Sequence, residues 1–414
     1  MGAYSLKRGY LSQYFSKVAI KRLSAVEVDP SKSNQHEFNG VQGLRKIFGT
    51  ERISGYPAVF IWIGGENEGI TEEGKITWYD ARERHPTRTE YRLYFSSNPV
   101  MDNAKEGDLL IVAKKSDGQV YVIVVEYEET VENQFRWLFG LQEGIGNRFS
   151  LREIDSEFNP EVDFAARYIL EELGMEIEEP DDDHIDSLIE EYIEKGFPGT
   201  REFSEFARRT LPDVSVLEDP DDALVKWMEH EEKLFKRLER HIVARKLEKG
   251  FVDSQSGVDV DGFIKFSLSV HNRRKSRVGY ALEHHLEEVF RSHGIRYSRN
   301  QITENRSKPD FLFPGANYYH DPEFPASRLT MLGVKSTCKD RWRQVLAEAA
   351  RIKNKHLFTL EPGISEDQTA EMQANSLQLV LPAQLHETYK PGQRSWLMNL
   401  REFLDLVRER QTGT

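Results

Sequence analysis

Short apolar runs separated by polar stretches with Gly and Asn fill the first third of the chain. Val18–Leu23, Ala58–Ile63, Tyr91–Phe95, Asp108–Ala113 and Val120–Val125 are rich in β-branched and aromatic residues, which predicts strands. Val41–Phe48 reads as a short helix. Short strands repeated at this spacing predict a small barrel. The period then changes. Across Asp221–Lys249 charges alternate with Leu224, Trp227, Leu234, Leu238, Ile242 and Leu247 at helical spacing. From residue 258 onward both periods occur. Val260–Ser269 leads to a helix over Tyr280–His293 with Gly279 at its start. Strands are predicted at Asp310–Phe313, Leu329–Val334, His356–Thr359 and Leu377–Leu381. A last helix covers Ser395–Gln411. The pattern divides the chain into a mostly-β domain, 1–150, a segment 151–200, and a helical lead-in with an α/β domain, 201–414.

Two of these strands carry charge where strand and loop meet. Met331-Leu-Gly-Val-Lys335 is an apolar run that ends on an amine. Lys308-Pro-Asp310-Phe-Leu-Phe313 places a carboxylate at the head of another. Asp310 and Lys335 are 25 positions apart, room for one hairpin. A carboxylate and a lysine on paired strands form the core of a metal-dependent phosphodiester-cleaving site. Nucleases of the PD-(D/E)XK class add an acid two residues before the lysine, and here that place is Gly333. Downstream, Asp340 is expected to open an amphipathic helix with Trp342, Val345, Leu346 and Ala349 on its apolar side. That helix offers Glu348 as a replacement acid, while Gln344, one turn earlier, is neutral. A bare Lys335–Glu348 ion pair is the plainer account, and the upstream Pro-Asp310 argues against it. Magnesium favours a few carboxylates plus water and substrate oxygens, so Asp310 and Glu348 are the expected ligands.

The run from Asn272 to about Tyr389 resembles the catalytic domain of the EcoRII-type restriction endonucleases. The likeness rests on Asn272-Arg-Arg-Lys-Ser-Arg277, Leu282-Glu-His-His-Leu-Glu287, Lys308-Pro-Asp-Phe-Leu-Phe-Pro314 and Tyr319-His-Asp321. It continues through Lys335-Ser-Thr-Cys-Lys-Asp-Arg-Trp-Arg-Gln344 and His356-Leu-Phe-Thr-Leu360. The resemblance implies an α/β restriction-endonuclease-like domain that cleaves double-stranded DNA with Mg2+. It implies the displaced acid and a further acid on the first helix, at Glu283. It also places base readers at Lys339, Asp340 and Arg341, and implies a C/G-bounded target like CC(A/T)GG. The donors and acceptor fit: Lys or Arg can donate to guanine and Asp can accept from cytosine, although Asp340 is equally a helix N-cap. A homodimer would set one active site on each strand of a near-palindromic target.

Charge changes the picture only when it is localised. The net charge of −13 argues against a nucleic-acid partner. Residues 151–200 hold 17 acids against Arg152, Arg167 and Lys195, so the rest of the chain sums to about +1. Glu178-Glu-Pro-Asp-Asp-Asp183 reads as a solvated linker; a DNA mimic that shields a basic cleft is the sharper alternative. Arg273, Arg274, Lys275 and Arg277 are the expected DNA-backbone contacts. In the β region, Lys21 and Arg22 and the stretch with Arg82, Arg88, Glu90 and Arg92 suit a groove reader. Ile20-Lys-Arg-Leu-Ser-Ala25 and Thr87-Arg-Thr-Glu90-Tyr-Arg92 are similar to the N-terminal domain of the same family, a DNA-binding pseudobarrel. That likeness implies an effector domain that binds a second DNA site.

One cysteine, Cys338, excludes an internal disulfide and a multi-cysteine zinc site. No apolar run reaches membrane-spanning length and no signal-peptide core is seen at the N-terminus, so a prokaryotic cytoplasmic protein is expected. The lack of a Gly-rich phosphate loop argues against ATP dependence. Two competing readings stand beside a type II endonuclease. One is a modification-dependent or repair nuclease. The other is a DNA-binding regulator on a decayed nuclease fold.

Overall fold

The computed structural model describes residues 15, 17–29, 36–40, 42–65, 70–115, 118–127, 129–138, 150–153, 165–166, 169, 183–252, 257–338 and 341–412. The chain forms two units. Met1–Glu176 with Pro362–Ser365 makes the first, and Ile177–Glu361 with Glu366–Thr414 makes the second.

The first unit is an eight-stranded sheet. Its strands are β1 (Lys17–Arg22), β2 (Glu37–Gly40), β3 (Ile53–Ile63), β4 (Thr71–Asp80), β5 (Tyr91–Phe95), β6 (Leu109–Lys114), β7 (Val120–Val125) and β8 (Ser150–Glu153). The order is β2-β5-β4-β3-β7-β6-β1-β8, with β3 and β7 parallel and the other pairs antiparallel. Phe38, Phe60, Trp62, Trp78, Leu93 and Phe95 share one core. Helices α1 (Gln42–Phe48) and α2 (Pro99–Asn103) plug it with Leu44, Ile47, Val100 and Met101. The buried indoles are satisfied: Trp62 donates to the Gly64 carbonyl at 2.9 Å and Trp78 to the Gly49 carbonyl at 3.1 Å. The apolar runs marked β1, β3, β5, β6 and β7. They did not mark β4, which buries only Ile76 and Trp78 among ten residues.

The second unit opens with helices α3 (Asp183–Lys195), α4 (Thr200–Arg209), α5 (Pro220–Lys249) and α6 (Val260–Ser292). Ile189 of α3, Phe203 and Ala207 of α4, and Leu234 and Leu238 of α5 form their core. β8 and α3 thus take in residues 150–153 and 183–195 at the two ends of the acidic segment. Residues 170–182, with most of the Glu178–Asp183 run, lie outside the described residues.

The α/β part is a five-stranded sheet in the order β13-β12-β11-β10-β9. Its strands are β9 (Ser298–Arg299), β10 (Phe311–Phe313), β11 (Thr330–Lys335), β12 (Lys355–Thr359) and β13 (Leu377–Val380). β9, β10 and β11 are antiparallel; β11, β12 and β13 are parallel. Phe290 of α6 lies edge-on to Phe311 and Phe313, and Phe403 of the C-terminal helix packs against Phe313. α6 runs unbroken for 33 residues, so Gly279 lies within a helix instead of starting one. A Cβ at Gly279 would meet nothing within 4 Å. Its backbone stays helical because a lone Gly costs only about 1 kcal/mol against Ala.

Candidate active site

The β10–β11 hairpin sets the first two charges. Phe311 pairs with Leu332, so the next step of the register brings Asp310 beside Gly333. Asp310 Oδ2 accepts the Val334 N–H at 2.6 Å and lies 3.3 Å from Lys335 Nζ. Both side chains are mostly covered, Asp310 at 13% and Lys335 at 22% exposure, so neither charge sits in bulk water.

Gly333 shows why no acid stands two residues before the lysine. A Cβ there would meet Val345 Cγ2 at 2.9 Å and Cγ1 at 3.1 Å. Val345, fully buried, fills that space from the segment after the lysine. The same segment delivers Glu348, though not from a helix of two turns. The helix is one turn, α8 below, Trp342–Val345, and Glu348 stands on the bend that follows. α7 (Ala316–His320) lies between α6 and α8 in chain order. The Glu348 N–H donates to the Val345 carbonyl at 3.1 Å, and Ala349 then takes a left-handed φ of 48°. Glu348 Oε2 is buried without a hydrogen-bond partner. Burial, and then the Asp310 carboxylate, push the Glu348 carboxyl up to about 7, against the pull of Lys335 and Lys355.

Glu283 projects from α6. Burial and then Asp310 raise its pKa as well, while Arg299 and Lys335 lower it. Arg299 donates to Glu283 at 2.5 Å and to Glu287 at 2.6 Å, and Arg201 also pairs with Glu287 at 2.8 Å. Asp310 therefore shares one field with Glu283, Glu348 and Lys335. Among the described residues no three His, Cys, Asp or Glu side chains converge into a ready-made metal cage. A hard cation that keeps several water or substrate oxygens needs only one or two carboxylates. The unpartnered, buried oxygen of Glu348 beside the charge of Asp310 suits that role.

Of the expected base readers, Lys339 and Asp340 lie outside the described residues. Arg341 is exposed at the head of α8, its N–H held by the Cys338 carbonyl at 2.8 Å. The buried Glu361 carboxylate accepts the Cys338 N–H, which fixes the loop entering this stretch.

The basic run on α6 needs correction. Arg277 is buried, stacked 4.1 Å from the Phe203 ring and 4.8 Å from that of Phe235, and its guanidinium pairs with Glu231 at 3.4 Å. It is a core cation, not a phosphate contact. Arg274 pairs with Glu239 at 2.5 Å, and Arg273 lies 4.2 Å over the Phe197 ring. The Lys275 side chain lies outside the described residues. His284 and His285 diverge: His284 faces Thr200 at 3.2 Å, and His285 contacts Arg208 and Glu231 at 2.9 and 3.0 Å.

The first unit holds a similar correction. Lys21 is buried in an ion pair with Glu27, and Arg22 makes a two-point pair with the buried Glu132. Neither is a surface cation. Arg82, Arg88, Glu90 and Arg92 do lie on or beside the β4–β5 connection. Arg82 and Arg92 both grip Glu90, at 2.5 and 2.8 Å, and Arg92 also reaches Glu37 at 2.7 Å. Arg88 is exposed.

Sequence reading missed Arg299, on a two-residue strand with no apolar pattern, and Lys355, whose amine is buried at the start of β12. The charge on Lys355 preceding an apolar run was the available signal.

The family model described as EcoRII C terminal matches residues 235–404. The Type II restriction enzyme EcoRII of Escherichia coli is 45% identical over 209 residues, 50% of this chain and 50% of that protein. The chain thus spans about half the length of the curated relative it matches. Two solved structures are also similar. Metal-depleted Ecl18kI in complex with uncleaved, modified DNA has a TM-score of 0.44 and 18% identity, covering 57% of this chain and 86% of that one. The PspGI restriction endonuclease–substrate DNA complex has a TM-score of 0.44 and 16% identity, covering 54% and 96%.

Proposed function

We propose, from a chain whose residues 235–404 match the EcoRII C-terminal family model, that this protein is a type II restriction endonuclease. It hydrolyses phosphodiesters of double-stranded DNA at a short C/G-bounded site like CC(A/T)GG. The observation that carries the reading is the meeting of Asp310, Lys335 and the unpartnered Glu348 at the β10–β11 hairpin.

Asp310 and Glu348 would hold a Mg2+ ion, with Glu283 next to them. Bound there, the ion would polarise the phosphate and lower the pKa of an attacking water. Lys335 supplies fixed positive charge where negative charge grows on the phosphate in the transition state. The Val334 N–H and Lys335 both engage Asp310 Oδ2 and so orient the carboxylate. In the reaction a water oxygen bonds to phosphorus, the bond to the leaving sugar oxygen breaks, and a proton passes to that oxygen. Lys339, Asp340 and Arg341, four to six positions after Lys335 in the sequence, would read base edges. The first unit, with Arg82, Arg88, Glu90 and Arg92 at one hairpin, would bind a second DNA site that activates cleavage in a prokaryotic cytoplasm.

A homodimer fits this chemistry, since a near-palindromic site needs one catalytic centre per strand. The N-terminal half of α6 supports it: Val260, Phe263, Ile264 and Leu268 share a helix face and are each 48–59% exposed.

The test is cleavage of unmethylated plasmid and phage DNA in Mg2+, wild type beside Lys335→Ala, with cut ends sequenced. Discrete cuts at one short site by the wild type, reduced at least ~100-fold in the variant, are expected. Cutting restricted to methylated DNA would favour a modification-dependent nuclease. No cutting by either protein, even with added site-bearing duplexes, would favour the DNA-binding regulator.

A further inference from the structure

Glu348 stands on a bend whose backbone is held from outside. Ala349, Ala350 and Arg351 are successive residues. Their N–H groups donate, in turn, to Thr303 Oγ1 at 3.4 Å, Glu304 at 3.2 Å and the Tyr319 hydroxyl at 3.3 Å. Two of the three acceptors are themselves joined, and the third is anchored locally. The Tyr319 hydroxyl donates to the same Glu304 oxygen that accepts from Ala350, and Thr303 Oγ1 donates to the Ser307 carbonyl at 3.3 Å. Tyr319 is 1% exposed. Burial raises its pKa, and the Glu304 carboxylate raises it further, so the hydroxyl keeps its proton and remains a donor.

Arg351 ties the far side of the bend. Its guanidinium donates to the carbonyls of Tyr319, Asp321 and Phe324, the last two at 2.8 Å. The bend needs such support because Ala349 has a left-handed φ of 48°, where the Cβ of a non-glycine residue crowds the following carbonyl oxygen.

The frame lies on both sides of Asp310 in the sequence. Thr303 and Glu304 precede β10 and Tyr319 follows it. The segments that grip the Glu348 bend are thus those that carry the strand headed by Asp310. We propose that Thr303, Glu304 and Tyr319 are positioning residues that lock the Glu348 bend to the Asp310 strand, so that the displaced acid is presented at a fixed distance from Asp310. This rests on the nuclease reading and extends it. An acid on the strand itself would be placed by the sheet; an acid on a bend needs its own clamp.

Glu304 is exposed as a residue, so its substitution leaves the core intact. Glu304→Ala removes the acceptor for Ala350 and the partner of Tyr319. Glu304→Gln keeps an oxygen acceptor for both. In full-length protein with Mg2+, Glu304→Ala is expected to lower kcat about 10-fold or more with KM for DNA within about 2-fold, one tenfold step being about 1.4 kcal/mol of lost transition-state stabilisation. Glu304→Gln is expected to recover most of the rate. Hydrogen exchange of the 349–351 amides, measured without DNA or metal, should quicken at least tenfold in Glu304→Ala while exchange in β11 and β12 stays unchanged. Tyr319→Phe should quicken the same amides. Unchanged exchange at 349–351, or a loss seen in KM with kcat intact, overturns the clamp. Absence of cutting by the wild type overturns the nuclease reading beneath it, a separate result from the exchange experiment.

Discussion

Gly333 decides where the second acid can stand. A Cβ on it would press on both methyls of Val345. Gly333→Ala should therefore destabilise the protein by about 1–3 kcal/mol, the usual cost of overpacking a filled core. Val345→Ala costs stability by leaving a cavity, yet it also makes room for that methyl. The double variant should be more stable than the two single costs predict when added, with a coupling of about 0.5–3 kcal/mol. Urea unfolding of the four proteins measures it, and strict additivity would show that Val345 does not fill the Gly333 notch. The residues of the candidate site were legible for a related reason. Asp310 and Lys335 each break an apolar run at its end, where a charge has no packing role. Glu348 was legible because Gly333 leaves the usual place without an acid and Gln344, one turn before Glu348, is neutral. Lys21, Arg22 and Arg277 were misread because a cation's buried partner is invisible in the chain: Glu27 and Glu132 are 6 and 110 positions away, and Glu231 is 46. The clamp residues Thr303 and Glu304 sit in an irregular stretch whose hydrogen bonds follow from the tertiary fold alone.

At the scale of elements, periodicity located most strands of both sheets but overstated the helix after Lys335. Trp342, Val345, Leu346 and Ala349 do have helical spacing. The helix stops at Val345 because the chain is drawn into the left-handed bend at Ala349 that serves Glu348. In the helical lead-in, spacing found α5, and an ionic contact adds to the apolar core that holds α3 against it. Arg237 donates twice to Asp186, each at 2.5 Å, and His241 adds a contact at 3.1 Å. The Arg237 hydrogen bonds, chiefly, bring the Asp186 carboxyl down to about 2 from the ordinary 3.8. A depressed carboxylate stabilises the fold fully above the unfolded-state value, and the contribution is lost as pH falls toward the folded one. Asp186→Asn should therefore cost about 1–2 kcal/mol at pH 7. The difference from wild type should shrink by about half near pH 3 and vanish below about pH 2. Urea midpoints across that range check the sign: a gap that widens on acidification would mean that the pair does not hold α3 in place.

For the whole molecule, net charge is the least informative number, since residues 151–200 alone carry a net of −14 against −13 for the chain, leaving about +1 elsewhere. What bears on assembly is an exposed apolar face of α6, on which Phe251 of the same unit packs against Phe263. Val260, Phe263, Ile264 and Leu268 line it, and the same rigid helix carries Glu283 19 positions after Ile264. At 1.5 Å per residue that is about 28 Å of helix between the face and the acid. Under the homodimer reading, two such faces would meet across a two-fold axis, and the length of one helix would help set the spacing between two catalytic centres. Ile264→Glu with Leu268→Glu puts two charges on each copy of that face without touching the site. The variant should sediment as a monomer where the wild type sediments as a dimer, with a circular-dichroism spectrum unchanged. On supercoiled plasmid bearing one site, it should yield nicked circles in place of linear DNA, because each encounter cuts one strand. A variant that stays dimeric and still linearises the plasmid in one step would place the subunit contact elsewhere on the chain, and α6 would then be free of that role.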